Sequence, residues 1–275
     1  DFSEAPPELV RFVDGAIAWR EPAPEGAALT LVAHDDGGYS LAGRFEGAFG
    51  ELDSAGLEDG WVTRYDSAGG PVWTARLGGR DEDAVLALAN DGDDLFVTGY
   101  VSLDARWEVG DQGRDIPDEL PDINHLDMVL LRVAPDGTPR WHTRARGEGN
   151  NEGRSVALGL DGSIHVGGLG AAPVRFGAGT DAPGFAIDSR LFFYAGWVAS
   201  FDATSGSART AWATSDTAPV ITAMWVVGHP DSTTTWVGNA LGIGAYGVDP
   251  ERRTTIGQEV NATIFMVHTP DPRCR

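Results

Sequence analysis

Tryptophan recurs in one setting along this chain: Ala-Ile-Ala-Trp19, Gly-Pro-Val-Trp73, Thr-Pro-Arg-Trp141 and Arg-Thr-Ala-Trp212. Each of the last three follows a segment of one type, Gly-Trp61-Val-Thr-Arg-Tyr-Asp66, Asp-Met128-Val-Leu-Leu-Arg-Val and Gly-Trp197-Val-Ala-Ser-Phe-Asp202. The tryptophans are 54, 68 and 71 residues apart. Self-similarity at this period means that each copy is one supersecondary unit, which buries its apolar face only by stacking on its neighbours. Trp19 is out of order, because it precedes any full copy.

Within a copy the apolar residues alternate with a period near two, the signature of strands. Ala84 to Ala89 reads as a strand, Asn90-Asp-Gly-Asp-Asp94 as a hairpin turn and Leu95 to Tyr100 as a second strand. Met128 to Val133, a turn at Pro135-Asp-Gly-Thr138 and Pro139 to Arg144 complete four strands, the content of one propeller blade. The innermost strands are expected at Leu29–Ala33, Val85–Ala89, Val156–Leu160 and Ile221–Val227. Second strands end on Gly43, Gly99, Gly167 and Gly238, and third strands centre on Val62, Val129, Val198 and Phe265. The last copy lacks a fourth strand, and the strand bearing Trp19 is the piece available to supply it. The expectation is an all-β chain: one β-propeller domain over residues 1–275, with four blades of four antiparallel strands. The N-terminal strand near 16–21 would complete the C-terminal blade; five blades is the alternative.

The run from Gly60 through Trp73 to Gly79, with Asp81-Glu-Asp-Ala-Val85 and Leu95-Phe-Val-Thr-Gly99, resembles the bacterial beta-propeller repeat of the SBBP type. A further family-like element follows the second strand at Gly47-Ala-Phe49-Gly50, Val174-Arg-Phe176-Gly177 and Gly244-Ala-Tyr246-Gly247, with a differently spaced copy at Arg106-Trp107-Glu-Val-Gly110. The resemblance covers nearly the whole chain and is strongest over residues 60–100. It implies tandem arrays in secreted or surface proteins, as in myxobacteria. It implies no activity, since such repeats carry no shared catalytic residues.

The formal charge of −21, with arginine as the sole strongly basic residue, excludes the basic footprint that nucleic acid or an anionic membrane demands. No apolar run is long enough for a membrane-spanning helix. The single cysteine, Cys274, permits no internal disulfide, so the fold rests on its core. The opening Asp1-Phe-Ser-Glu-Ala-Pro-Pro reads as the start of a processed or trimmed protein.

Chemistry is sparse. The six histidines show no zinc spacing, although His34 and His229 fall at similar places in their copies. Gly-x-Ser-x-Gly is absent, and no phosphate-binding glycine loop precedes a helix. No cofactor is expected; calcium is the one candidate, at Asp81, Glu82 and Asp83, three carboxylates in one loop. The repeated tryptophans read as packing between blades rather than as sugar-stacking platforms.

Function is expected where copies differ. Two long connections stand out, residues 101–127 and 178–195. They carry the candidate partner-binding residues Trp107, taken as exposed, and Leu191, Phe192, Phe193 and Tyr194. The reading is a non-enzymatic propeller in the periplasm, at the surface or secreted, acting as a protein-interaction module or as an accessory subunit of a larger assembly. A carbohydrate-binding propeller is the alternative, with a glycan as partner, and an enzyme with its site in the central funnel is the second.

Overall fold

The computed structural model describes residues 8–22, 27–117, 125–147, 149–159, 161–171, 173–177, 184–185, 195–213, 220–228, 234–241, 244–246, 254–256 and 262–269. Every named element among them is a β-strand and every pairing between named strands is antiparallel. A hairpin of β1 (Glu8–Val13) and β2 (Ala16–Pro22) comes first, turned at Asp14 and Gly15 with φ of 50° and 79°. The first repeat follows as β3 (Ala27–Ala33), β4 (Tyr39–Phe45), a short hairpin of β5 (Ala48–Phe49) and β6 (Leu52–Asp53), then β7 (Asp59–Tyr65) and β8 (Pro71–Gly78). The second is β9 (Ala84–Asp91), β10 (Asp94–Val101), β11 (Arg106–Val109), β12 (Gln112–Asp115), β13 (Asp127–Val133) and β14 (Pro139–Gly147). The third is β15 (Asn151–Leu158), β16 (Ser163–Gly170), β17 (Val174–Phe176), β18 (Gly184–Phe185), β19 (Ala195–Asp202) and β20 (Ala208–Ala213). The last holds β21 (Val220–Gly228), β22 (Thr234–Leu241), β23 (Gly244–Tyr246), β24 (Thr254–Ile256) and β25 (Ala262–Thr269).

In each of the first three repeats the four long strands pair in chain order, as β3-β4-β7-β8, β9-β10-β13-β14 and β15-β16-β19-β20; the fourth has β21-β22-β25. In the second and third repeats a short strand pairs outside its own repeat. β11, from the second repeat, pairs with β8 of the first sheet, and β17, from the third, pairs with β14 of the second. Each of these two sheets is thereby clasped on its outer edge by a hairpin of its successor. Trp107 in β11 and Phe176 in β17 occupy the same place in the clasp, opposite Leu77 and Ala145. Both rings are fully buried, which contributes about 1.5–3 kcal/mol each.

The sheets stack face to face. Ala42, Val62, Ala75 and Leu77 of the first meet Val85, Leu95, Val97, Val129 and Leu131 of the second in one core cluster. The opposite face of the second sheet, with Phe96, Met128 and Leu130, meets Val156, Ile164, Val166 and Phe201 of the third. The indole Nε1 of Trp73 donates to Pro135 O at 2.8 Å, and that of Trp141 to Ala203 O at 3.1 Å. Each of these tryptophans thus reaches the turn before the fourth strand of the next sheet. The turn glycines there, Gly137 and Gly206, have φ of 86° and 72°, and a β-carbon on them would stand 3.1 and 2.6 Å from the indoles of Trp73 and Trp141. The repeated tryptophan is a link between sheets, as its sequence pattern predicts. The side chains of Trp19 and Trp212 lie outside the described residues.

Two sequence expectations change. The strand bearing Trp19 pairs with Glu8–Val13, Arg11 opposite Trp19, and among the described residues it has no pairing with the last sheet and the strands do not close a ring. The hairpin docks instead on the first sheet, where Leu9 packs against the Tyr39, Leu41, Phe45 and Trp61 cluster and Arg11 donates to Ser67 O at 2.7 Å. The alignment of copies also shifts by one residue. Gly43, Gly99 and Gly168 stand opposite Trp61, Val129 and Trp197, so Val129 matches Trp61 and not Val62, and Gly168 replaces Gly167.

Candidate functional site

An open groove of about 920 Å³ runs along the outer part of the first sheet. One wall is the β5–β6 hairpin, with Phe49, Glu51, Leu52 and Asp53; the other is the end of β11 and its turn, with Glu108, Val109, Gly110 and Asp111. The floor is β8 from Pro71 to Arg76. Local sequence explains the walls. The β5–β6 turn places Gly50 at φ 60° and the β11–β12 turn places Gly110 at φ 53°, a region open to glycine at little cost. Phe49 pins its hairpin to the sheet by stacking on Trp61, ring centroids 4.5 Å apart.

The floor of the groove is fixed electrostatically. Arg76 donates through Nη1 to Asp59 at 2.6 Å and through Nη2 to Glu108 at 2.5 Å. Burial opposes its charge, but Glu108 and Asp59 outweigh burial and raise its pKa further. Burial likewise works against the Glu108 carboxylate, and Arg76 and Arg106 overcome it, holding the group below its ordinary value. Glu51, Asp53 and Asp111 are exposed and paired with no cation among the described residues. Four carboxylates and one guanidinium line the groove, and that guanidinium is already bridged twice.

The backbone of β8 is only partly covered. β11 pairs with Ala75 through Gly78 and ends at Val109. Trp73 and Thr74 pair with Arg64 and Thr63 of β7 on one side, and among the described residues no strand lies on the other. A bulge at Val72 separates this stretch from Pro71, and Val72 is 57% exposed.

The loop between β8 and β9 holds a second acidic position. Asp83, fully buried, accepts from Gly79 N at 2.7 Å, Ser102 N at 2.6 Å and Ser102 Oγ at 3.0 Å. Burial pushes its carboxyl up to about 6 against these hydrogen bonds. The position 68 residues on is Asn151, also buried, and the backbone N–H of each donates to the residue just before the third strand, Glu58 O and Leu126 O.

The residues singled out from sequence fall as follows. Trp107 is 1% exposed, with its indole bonded to Gly137 O at 2.9 Å; the expectation of an exposed aromatic there is corrected, because β11 turns the ring into the core between sheets. Leu191, Phe192, Phe193 and Tyr194 lie outside the described residues. Asp81, Glu82 and Asp83 do not converge: Asp83 turns inward to Ser102, while Glu82 is exposed. His34 and His165 are buried against Ser40 and Ser163, at 2.8 and 2.9 Å, and burial lowers both pKa values. His229 lies outside the described residues. The connection 101–127 does supply one groove wall, through Glu108, Val109 and Asp111. Sequence reasoning missed Glu51, Asp53 and Arg76. The repeated element at Gly47-Ala-Phe49-Gly50 marks the hairpin that carries Glu51 and Asp53, and Arg76 follows Trp73 in the repeated fourth strand.

No family model matches the chain. A stretch of 93 residues, 30% of the chain, is 37% identical to the regulatory protein FlaEY of Caulobacter vibrioides. That match spans 10% of the relative's length.

Proposed function

We propose that the sheets are blades of a β-propeller, four in number with five as the alternative, and that the chain is a non-enzymatic protein-interaction module acting outside the cytoplasm. The observation that carries the reading is the groove on the first sheet, which combines apolar side chains, carboxylates and open strand backbone at one place. The stacking of successive four-stranded antiparallel sheets supports the propeller. The extracytoplasmic location rests on the likeness of residues 60–100 to the SBBP-type repeat. The match to FlaEY, a tenth of that protein, adds only that such a segment occurs within a longer chain.

The test is purification of the tagged chain from its native source, beside a Val72→Arg variant that fills the groove with a bulky cation. A stoichiometric protein partner on the parent chain, absent from the variant, is the expected result. A chain that purifies alone in both forms counts against an interaction module. A crystal structure counts the blades directly.

A further inference from the structure

We propose that the groove on the first sheet binds a short, basic, extended peptide, which adds its backbone to Trp73 and Thr74 and places cationic side chains on Glu51, Asp53 and Asp111. This deepens the interaction reading and rests on it. Three features select that occupant. The first is backbone: Trp73 and Thr74 have a strand partner on the β7 side alone, the half-open edge that an added strand completes. The bulge at Val72 ends the regular edge there, so the site takes a few residues of backbone and offers no template for indefinite sheet growth.

The second feature is charge. Arg76 is matched by Asp59 and Glu108, which leaves the exposed carboxylates of Glu51, Asp53 and Asp111 facing an entering ligand without cations of their own. A peptide with arginine or lysine at alternate positions satisfies them. A second copy of this chain, at a formal −21, brings mostly like charge. The third feature is apolar surface, offered by Phe49, Leu52, Val72, Trp73 and Val109 to the residues between the cations. In the next sheet β17 likewise covers only Ala145 to Gly147, and the difference lies in the side chains at the end of β14. Arg140 stands where Val72 stands and is held by Asp94 at 2.8 Å, and Arg114 donates to Pro139 O at 2.7 Å. Two arginines of the chain itself are thus held at this end of β14, whereas the first sheet has the apolar Val72 at the corresponding place.

The probe is a fluorescently labelled seven-residue peptide of alternating arginine and valine, followed by anisotropy with the full chain. Controls are a glutamate–valine peptide and an arginine–valine peptide N-methylated at alternate residues. Expected are binding at least about tenfold tighter than either control, loss of at least about tenfold in Val72→Arg, and weakening with added salt that Glu51→Gln/Asp53→Asn/Asp111→Asn reduces. Equal binding of the N-methylated peptide overturns backbone addition. Binding that Val72→Arg leaves unchanged overturns the groove as the site. Concentration-dependent dimerisation in sedimentation, abolished by Val72→Arg, gives the groove to a second copy and overturns the peptide. If a native partner binds parent and Val72→Arg alike, the groove inference falls while the interaction reading stands. If the peptide binds the groove and the native chain carries no protein partner, the interaction reading fails separately.

Discussion

From the third strand onward the first and second repeats correspond at a spacing of 68 residues, and two differences between them bear on the groove and on the loop between sheets. Asp59 and Arg76 in one correspond to Asp127 and Arg144 in the other; both pairs are buried and joined, at 2.6 and 3.1 Å. Trp73 and Trp141 both reach the next turn. The copies part at the outer edge, where Val72 is bare and Arg140 is anchored, and at the inter-sheet loop, where Asp83 becomes Asn151. What holds a sheet to its neighbour is kept, and what faces solvent or titrates is free to change.

The strongest way to break the correspondence is to remove the arginines. Arg144→Leu removes the guanidinium paired with the buried Asp127 and deprives the carbonyls of Ser102 and Ile116 of a donor, and is expected to cost about 3–5 kcal/mol in denaturant unfolding. Arg76→Leu also takes the cation from a buried carboxylate, Asp59, but should cost less, because Asp59 still accepts from Ala55 N at 2.8 Å and Glu108 keeps Arg106. Equal losses would show that the two pairs are held alike.

Asp83 sharpens the comparison through pH. Its folded pKa, about 6, lies above the ordinary 3.8, so between those values the folded chain holds a proton that the unfolded chain has released. The resulting stability is complete below 3.8 and lost as pH rises through 6, a fall of about 3 kcal/mol. Asp83→Asn, which copies the second repeat, should erase that fall. Urea unfolding from about pH 3.5 to 7 reads it, and parallel curves for parent and variant would refute the assignment.

Glycine replacements come next. An alanine Cβ at Gly206 would stand 2.6 Å from Trp141, and at Gly137 3.1 Å from Trp73, both at positive φ. Gly206→Ala should cost about 2–4 kcal/mol and Gly137→Ala somewhat less. Gly162→Ala, at φ 73° with nothing near, isolates the backbone part, about 1 kcal/mol. The smallest effect is that of Trp73→Phe and Trp141→Phe, which each lose one indole donor, about 1 kcal/mol by thermal or chemical unfolding.

Strand positions and their antiparallel order are legible in the sequence because turn chemistry and two-residue alternation mark them. Register is not. Trp61 and Val62 are both buried, so a slip of one residue exchanges one apolar face for another and the pattern cannot choose. The pairing of Asp59 with Arg76 and of Asp127 with Arg144 selects it in space. Trp212 misled for a related reason. The turn from Asp202 to Ser207 is one residue longer than those at Asp66 and Ala134, and Thr210 takes the place of Trp73 opposite the third strand. The groove was invisible because its two walls come from different repeats.

The fit of each indole into the following turn has a consequence for how such chains lengthen. A segment cut at sheet boundaries would separate Trp73 from Gly137. A segment running from Pro71 to Thr138 carries both the tryptophan and the turn shaped to receive it. The natural cassette for duplication or grafting is therefore staggered by one strand against the visible sheets, and crossovers placed just before the fourth strand preserve every such joint.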